Sequence, residues 1–207
     1  PDGTRVAFVS NNNIYVEDID SGKITQLTKD GSDTIVNGTF DWVYEEEFSC
    51  RDGFRWSPDG KHIAYWQSDT KGTGVFDIIN NVDSIYAKVI HFPYPKAGTT
   101  NSALKVGYVS STGGNTTWIA IPGYPRNNYL PRMEFIPESD ELFIQQLNRP
   151  QNTNKVWIAK ISDNSLNNIF TDTDAAWLDT NDNIQWLKDN RYFTWESERS
   201  GWRHLYR

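Results

Sequence analysis

Cysteine and methionine occur once each in these 207 residues, and histidine only three times. With Cys50 alone, no intrachain disulfide can form and no cysteine-based zinc centre is available. No apolar run approaches the roughly 20 residues that a helix needs to cross a bilayer, so no membrane-spanning segment is expected in the chain. Basic residues are dispersed and outnumbered, 20 against 27 acidic, for a net charge of −7. That balance argues against nucleic acid as a partner. No Gly-x-Ser-x-Gly elbow is present, and His62, His91 and His204 lack a matching acid and nucleophile pattern, so no catalytic residue is assigned. His62 and His204 read as strand residues, and His91 as part of a loop before Phe92-Pro93. Gly72, Gly74, Gly113 and Gly114 sit in loops with no following Lys-Ser or Lys-Thr, which excludes a phosphate-cradling loop. Asp163, Asp172, Asp174, Asp179 and Asp182 lack calcium-loop spacing and read as solvated turn residues. No metal and no cofactor is expected.

Aromatic residues, by contrast, are abundant: nine Trp, ten Tyr and ten Phe make 14% of the chain. They fall in short β-branched and aromatic runs. Arg5–Val9, Ile14–Asp18 and Lys23–Leu27 are the first three, separated by Ser10-Asn11-Asn12-Asn13 and Asp20-Ser21-Gly22. Asn, Asp and Gly at such places supply the left-handed backbone of tight hairpins. Nothing of comparable length has a 3.6-residue apolar period, so the fold class is all-β.

A repeat emerges on comparing these runs. Pro1-Asp2-Gly3 before Val6-Ala7-Phe8 matches Trp56-Ser57-Pro58-Asp59-Gly60 before Ile63-Ala64-Tyr65-Trp66. Weaker copies are Phe135–Asp140 before Leu142-Phe143-Ile144, and Trp186–Asn190 before Tyr192–Trp195. Their spacing of about 50 to 80 residues is near or above the roughly 40–50 of a propeller blade, so some blades must carry insertions. Wedge-shaped interfaces between blades also give the aromatics a structural purpose. The competing architecture is a β-sandwich with accidental similarity. Pro1-Asp2-Gly3 starts inside one copy of the repeat, and Gly201–Tyr206 reads as a strand after a hairpin turn. Both features lead us to expect part of a larger ring, about four blades, with residues 1–207 forming a partial β-propeller domain.

One segment breaks the strand pattern. Asp41-Trp42-Val43-Tyr44-Glu45-Glu46-Glu47-Phe48 falls between the first two copies, where an insertion is required. Three consecutive carboxylates repel one another unless a cation is at hand. Trp42, Tyr44 and Phe48 are costly to leave in water and so should anchor the segment. A primary ammonium suits anchored carboxylates, because its three donors can be shared between two of them. A solvated acidic turn is the plainer alternative.

This string resembles the signature of the dipeptidyl peptidase IV family of serine exopeptidases. Its context is similar too: Trp56–Gly60 follows shortly, then Pro93-Tyr94-Pro95-Lys96-Ala97-Gly98 with Asn101 beyond. The similarity runs over essentially the whole chain, weakening between about Ser110 and Asn183. It implies an eight-bladed propeller capping a C-terminal α/β-hydrolase domain, with a double-Glu motif on a short helical insertion. Matched motif to motif, the resemblance assigns binding of the free peptide amino terminus to Glu46 and Glu47. Asp41 and Glu45 become structural, orienting the helix or pairing with its N-terminal amides, and Trp42 and Tyr44 support the motif. The implied partners are a peptide with a free amino terminus, usually with Pro or Ala second, and the hydrolase domain; pairing of two copies is a further expectation. The serine, aspartate and histidine of catalysis lie outside this stretch, so the segment alone should not cleave peptides. Around Trp177-Leu178-Asp179, where vertebrate members carry an arginine, this sequence has none. With the single cysteine, that implies a bacterial member, located in the periplasm or cell envelope. Two other functions compete: a non-catalytic propeller binding protein or peptide partners, and glycoside hydrolysis, for which adjacent Glu46 and Glu47 are poorly spaced.

Overall fold

The computed structural model describes residues 1–207, apart from the side chain of Lys188. The first sheet is a three-stranded antiparallel meander of β1 (Arg5–Ser10), β2 (Asn13–Asp18) and β3 (Ile24–Gln26). Asn11 and Asn12, at φ 47° and 58°, make the two-residue turn that joins β1 to β2. Both positions need positive φ in such a hairpin, which asparagine tolerates.

The second sheet contains the interruptions that the repeat spacing demands. Its inner edge is made of two short pieces, β4 (Ile35–Asn37) and β5 (Phe54–Trp56), which pair end to end along the same partner, β6 (His62–Asp69). Helix α1 (Trp42–Phe48) occupies the gap between those pieces. A second interruption follows β6: an exposed hairpin of β7 (Val75–Asn80) and β8 (Lys88–Pro93). The sheet then resumes with β9 (Ala103–Ser110) and the short β10 (Thr117–Trp118).

The third sheet is an uninterrupted four-stranded meander, β11 (Asn128–Phe135), β12 (Glu141–Asn148), β13 (Thr153–Lys160) and β14 (Ser165–Thr173). A last pair, β15 (Trp195–Ser197) and β16 (His204–Tyr206), follows it.

What places these sheets side by side is the two-residue period of their middle strands. On β6, Ile63 and Tyr65 join Ile14 and Val16 of the first sheet in one apolar cluster. Ala64 and Trp66, on the opposite face, join Met133, Leu142 and Ile144 of the third sheet in another. On β12, Leu142 and Ile144 face back to the second sheet, while Phe143 faces forward to Val156 and Trp195. The second and third sheets are therefore apolar on both faces, and the core lies between consecutive sheets. Full burial of side chains such as Ile63 and Ile144 contributes about 1.5–3 kcal/mol each. Face-to-face stacking of consecutive meanders is propeller packing, not the two opposed layers of a sandwich.

Two of the sequence expectations need correction. His91 is not in a loop: it lies in β8, and its Nδ1 sits 2.6 Å from Asp77 Oδ1 across the hairpin. Nor are all five scattered aspartates solvated turn residues. Asp172 is buried in β14, where it accepts from Trp195 Nε1 at 2.8 Å; Asp182 is exposed and outside the strands, as expected, though it pairs with Arg132 at 2.6 Å. The low sequence complexity of Asp-Thr turns concealed these partners, which come from strands 23 and 50 residues away.

Candidate functional site

Helix α1 is only seven residues long, too short to persist by propensity alone. Its ends and one face are tied down instead. Asp41 is the N-cap, with extended backbone, and its carboxylate accepts from Tyr44 N–H at 3.2 Å. The other oxygen of Asp41 accepts from the Ser102 hydroxyl, at the start of the β9 strand region. Burial pushes the Asp41 carboxyl above the usual range, a shift opposed by those hydrogen bonds. At the far end Ser49 adopts left-handed backbone at φ 55°, and Cys50 N–H closes on Tyr44 C=O at 3.0 Å.

The buried face of α1 is Tyr44 and Phe48, packed on Tyr129 at ring separations of 6.1 and 5.1 Å. Strand β11 is shaped to receive them. Its pairing with β12 shifts register between Tyr129 and Arg132, the stretch that contains Pro131. Proline has no N–H for a ladder, and such shifts free neighbouring backbone groups. Here the freed groups all turn to the helix and its surroundings. Leu130 N–H donates to Tyr44 Oη at 3.1 Å, and Leu130 C=O accepts from Trp66 Nε1 at 2.8 Å. Pro131 C=O accepts from Cys50 Sγ at 3.2 Å, and Arg132 Nη1 donates to Phe48 C=O at 2.9 Å. Burial raises the Cys50 thiol to about 11 and holds the Tyr44 phenol well above its ordinary value.

With one face bolted down, α1 turns its three glutamates to solvent. They do not all face the same space. Glu46 and Glu47 line a cleft of about 630 Å³, whereas Glu45 is not among its lining residues. Across the cleft lie Tyr94, Pro95, Lys96, Ala97 and Gly98, the segment singled out as the second motif, and Asn101. Asn101 is fixed by donating to Tyr129 Oη at 3.0 Å. Trp42 and Phe76 complete an aromatic wall with Tyr94, at centroid separations of 5.5–5.8 Å. Trp42 is 40% exposed, so it contributes a surface to the cleft where Tyr44 and Phe48 contribute anchors. The hydrogen-bonded cap of the helix amides is Asp41, while Glu45 is exposed in the first turn of the helix.

Arg149 and Gln151, from the β12–β13 turn, close the cleft on its remaining side. Arg149 donates to Thr99 C=O, bridging that turn to the second motif. Sequence reasoning passed over Arg149, Gln151 and Tyr129. They stand more than 80 residues from the acidic string, and nothing local distinguishes them. Among the described residues no group of three or more His, Cys, Asp or Glu could hold a metal ion. The cleft is thus a partly aromatic recess with two carboxylates on one wall and Lys96 and Arg149 on others.

The family described as the Dipeptidyl peptidase IV (DPP IV) N-terminal region matches residues 1–207. The chain belongs to that family. The crystal structure of Porphyromonas gingivalis dipeptidyl peptidase 4 superposes at a TM-score of 0.89 with 30% identity, covering 100% of this chain and 29% of that one. Among curated relatives, a probable dipeptidyl peptidase 4 of Trichophyton verrucosum is 26% identical over 219 residues, covering 100% of this chain and 29% of the relative. A probable dipeptidyl-aminopeptidase B of Chaetomium globosum is 28% identical over 191 residues, covering 86% and 20%. The chain therefore spans less than a third of the length of these relatives. A β-propeller arrangement and membership of this peptidase family agree with the sequence-level expectations.

Proposed function

We propose that this chain is the substrate-recognising and gating part of a serine dipeptidyl peptidase, and that Glu46 and Glu47 bind the free amino terminus of the peptide. One observation carries the reading. Two motifs some 50 residues apart in sequence, the acidic string and Pro93–Gly98, line the same cleft, and of the three glutamates only Glu46 and Glu47 face it. An ammonium group there can donate to both carboxylates through charge-assisted hydrogen bonds. The tethered amino terminus then sits at a fixed distance from a nucleophile supplied by the C-terminal hydrolase domain, so only the second peptide bond is in reach. A blocked amino terminus has no such donors and would leave the carboxylates unpaired, which selects against it. The aromatic wall of Trp42, Phe76 and Tyr94 gives the first residues of the peptide an apolar surface.

The test is made on the full-length protein. Glu46→Ala and Glu47→Ala should each lower kcat/KM on dipeptidyl substrates by at least tenfold. Wild-type activity in both variants sinks the assignment. Since a peptide α-amino group titrates near 7.7–8.0, kcat/KM should also fall as pH rises through about 8. A substrate whose amine has a lower pKa should show that fall at a correspondingly lower pH.

The same reading includes pairing of two copies through the β7–β8 hairpin. Its support is an apolar surface projecting from the second sheet: Val75, Ile79 and Val89 are more than half exposed, and Ile85 is 98% exposed. Placement of the parent protein in the periplasm or cell envelope belongs to this proposal as well, and cell fractionation tests it.

A further inference from the structure

The cleft beside α1 carries two charges that the binding of an amino terminus does not use. Lys96 and Arg149 line it together with Glu46 and Glu47. None of the four makes an ion pair with any described residue. The arginines just behind the walls are matched, by contrast. Arg126, which bonds Asn101, meets Asp69 at 3.3 Å, and Arg132, which bonds Phe48, meets Asp182 at 2.6 Å. Acid and base thus share the cleft without neutralising each other.

The separation is built in, because the two signs sit on elements fixed independently. The glutamates ride on α1, capped by Asp41 and anchored by Tyr44 and Phe48. Lys96 opens a tight turn in which Thr99 N–H donates to Lys96 C=O at 2.9 Å and Gly98 has φ 80°, the left-handed third position of a type II turn. That turn is held on both sides. Before it, Tyr94 N–H donates to Gly74 C=O at 2.7 Å; after it, Asn101 C=O accepts from Arg126 Nη1 at 2.7 Å. The backbone of Arg149 is held as well, its N–H donating to Asn127 C=O at 3.0 Å. Its guanidinium gives one donor to Thr99 C=O. A guanidinium has five, so donors remain for a ligand.

A ligand that satisfies both walls has an ammonium and a carboxylate in one molecule. A simple anion would attract Lys96 and Arg149 but be repelled by the glutamates, and a simple amine the reverse. A peptide that opens with aspartate or glutamate carries both charges on its first residue, roughly 3–6 Å apart at ordinary bond lengths. Arginine meets such a carboxylate with paired donors, and lysine adds a point charge.

We propose that Lys96 and Arg149 make the cleft selective for peptides whose first residue is acidic. The proposal rests on the reading that Glu46 and Glu47 hold the peptide amino terminus. It is tested on the full-length protein with two reporter amides, Asp-Pro and Asn-Pro, which match in shape and differ in the charge of the first side chain. At low salt, kcat/KM for Asp-Pro should exceed that for Asn-Pro at least fivefold, and the ratio should shrink as salt screens the contact. Lys96→Met and Arg149→Met should each bring the ratio towards one, while Arg149→Lys, which keeps the charge, should recover part of it. Glu46→Ala should lower both substrates. A ratio of one in an enzyme that Glu46→Ala still cripples overturns the acidic preference alone and leaves the amino-terminal site standing. A ratio that survives both methionine variants also overturns it. Equal losses of the two substrates in Arg149→Met overturn it too, by assigning the arginine to an uncharged part of the peptide. Full activity of Glu46→Ala and Glu47→Ala on both substrates removes the amino-terminal site, and this proposal with it.

Discussion

Asp41 is the residue on which the orientation of the glutamates turns. It satisfies a helix amide and receives Ser102, so one side chain joins α1 to the β9 region 61 residues away. Asp41→Ala removes the cap and the tether together. Loss of an N-cap costs about 0.5–2 kcal/mol, so the urea midpoint should drop accordingly. In the full-length protein the same change should raise KM more than it lowers kcat, because the ammonium site loosens while the hydrolase chemistry is untouched. Asp41→Asn keeps an acceptor for Tyr44 N–H and should recover most of the stability. Equal KM in Asp41→Ala and wild type would show that the buried Tyr44 and Phe48 suffice to hold the helix. At this scale the acidic string was legible because its members are adjacent: an acidic and aromatic octet reads as a unit. Arg149, Tyr129 and Arg132 were not, because their roles arise from contacts across more than 80 residues, and a lone arginine or tyrosine in a strand looks like any other.

At the scale of elements, the strands that alternate between two sheets were the readable ones. Ile63-Ala64-Tyr65-Trp66 and Leu142-Phe143-Ile144 announce themselves as strands apolar on both faces, and they form the middle of their sheets. The β7–β8 hairpin was missed. Its strands are joined by seven residues, Asn81–Ala87, without the two-residue Asn-Gly or Asp-Gly turn that marks a tight hairpin. Its apolar residues also face solvent, so no burial pattern frames it. The split inner edge of the second sheet was hidden for a similar reason: β4 and β5 are three residues each, below the length at which alternation can be recognised. The hairpin contributes no residue to the clusters between sheets. Ile79→Lys with Val89→Lys, which are cross-strand partners, should therefore leave the thermal midpoint within about 2 °C, as surface changes away from a core usually do. On the proposed pairing of two copies, the same double variant should shift the full-length protein from dimer to monomer in analytical ultracentrifugation. A dimer of unchanged stability rejects the hairpin as the contact.

For the whole molecule, the three interfaces between sheets share strands: β6 serves two of them, and β12 serves two. Disturbing one interface should consequently be felt at the next. Alkaline titration tests this without removing any packing. Burial raises the Cys50 thiol to about 11 in the cluster between the second and third sheets, and the Tyr65 phenol to about 12 in the cluster between the first and second. Both groups are neutral when protonated, and both hold their protons more tightly folded than unfolded. Their stabilisation is complete below the unfolded values, near 8.5 for Cys and 10 for Tyr. It is lost as pH rises through the window between unfolded and folded values, because the unfolded chain releases its protons first. The urea midpoint should thus be flat from pH 7 to 8, then fall progressively towards pH 11. Cys50→Ala should flatten the onset of that fall, and Tyr65→Phe its later part. If the interfaces are coupled through β6, both variants act on one unfolding transition seen alike by tryptophan fluorescence and circular dichroism. Two transitions, each sensitive to only one of the variants, would mean that the sheets come apart singly and that shared strands do not transmit stability across them.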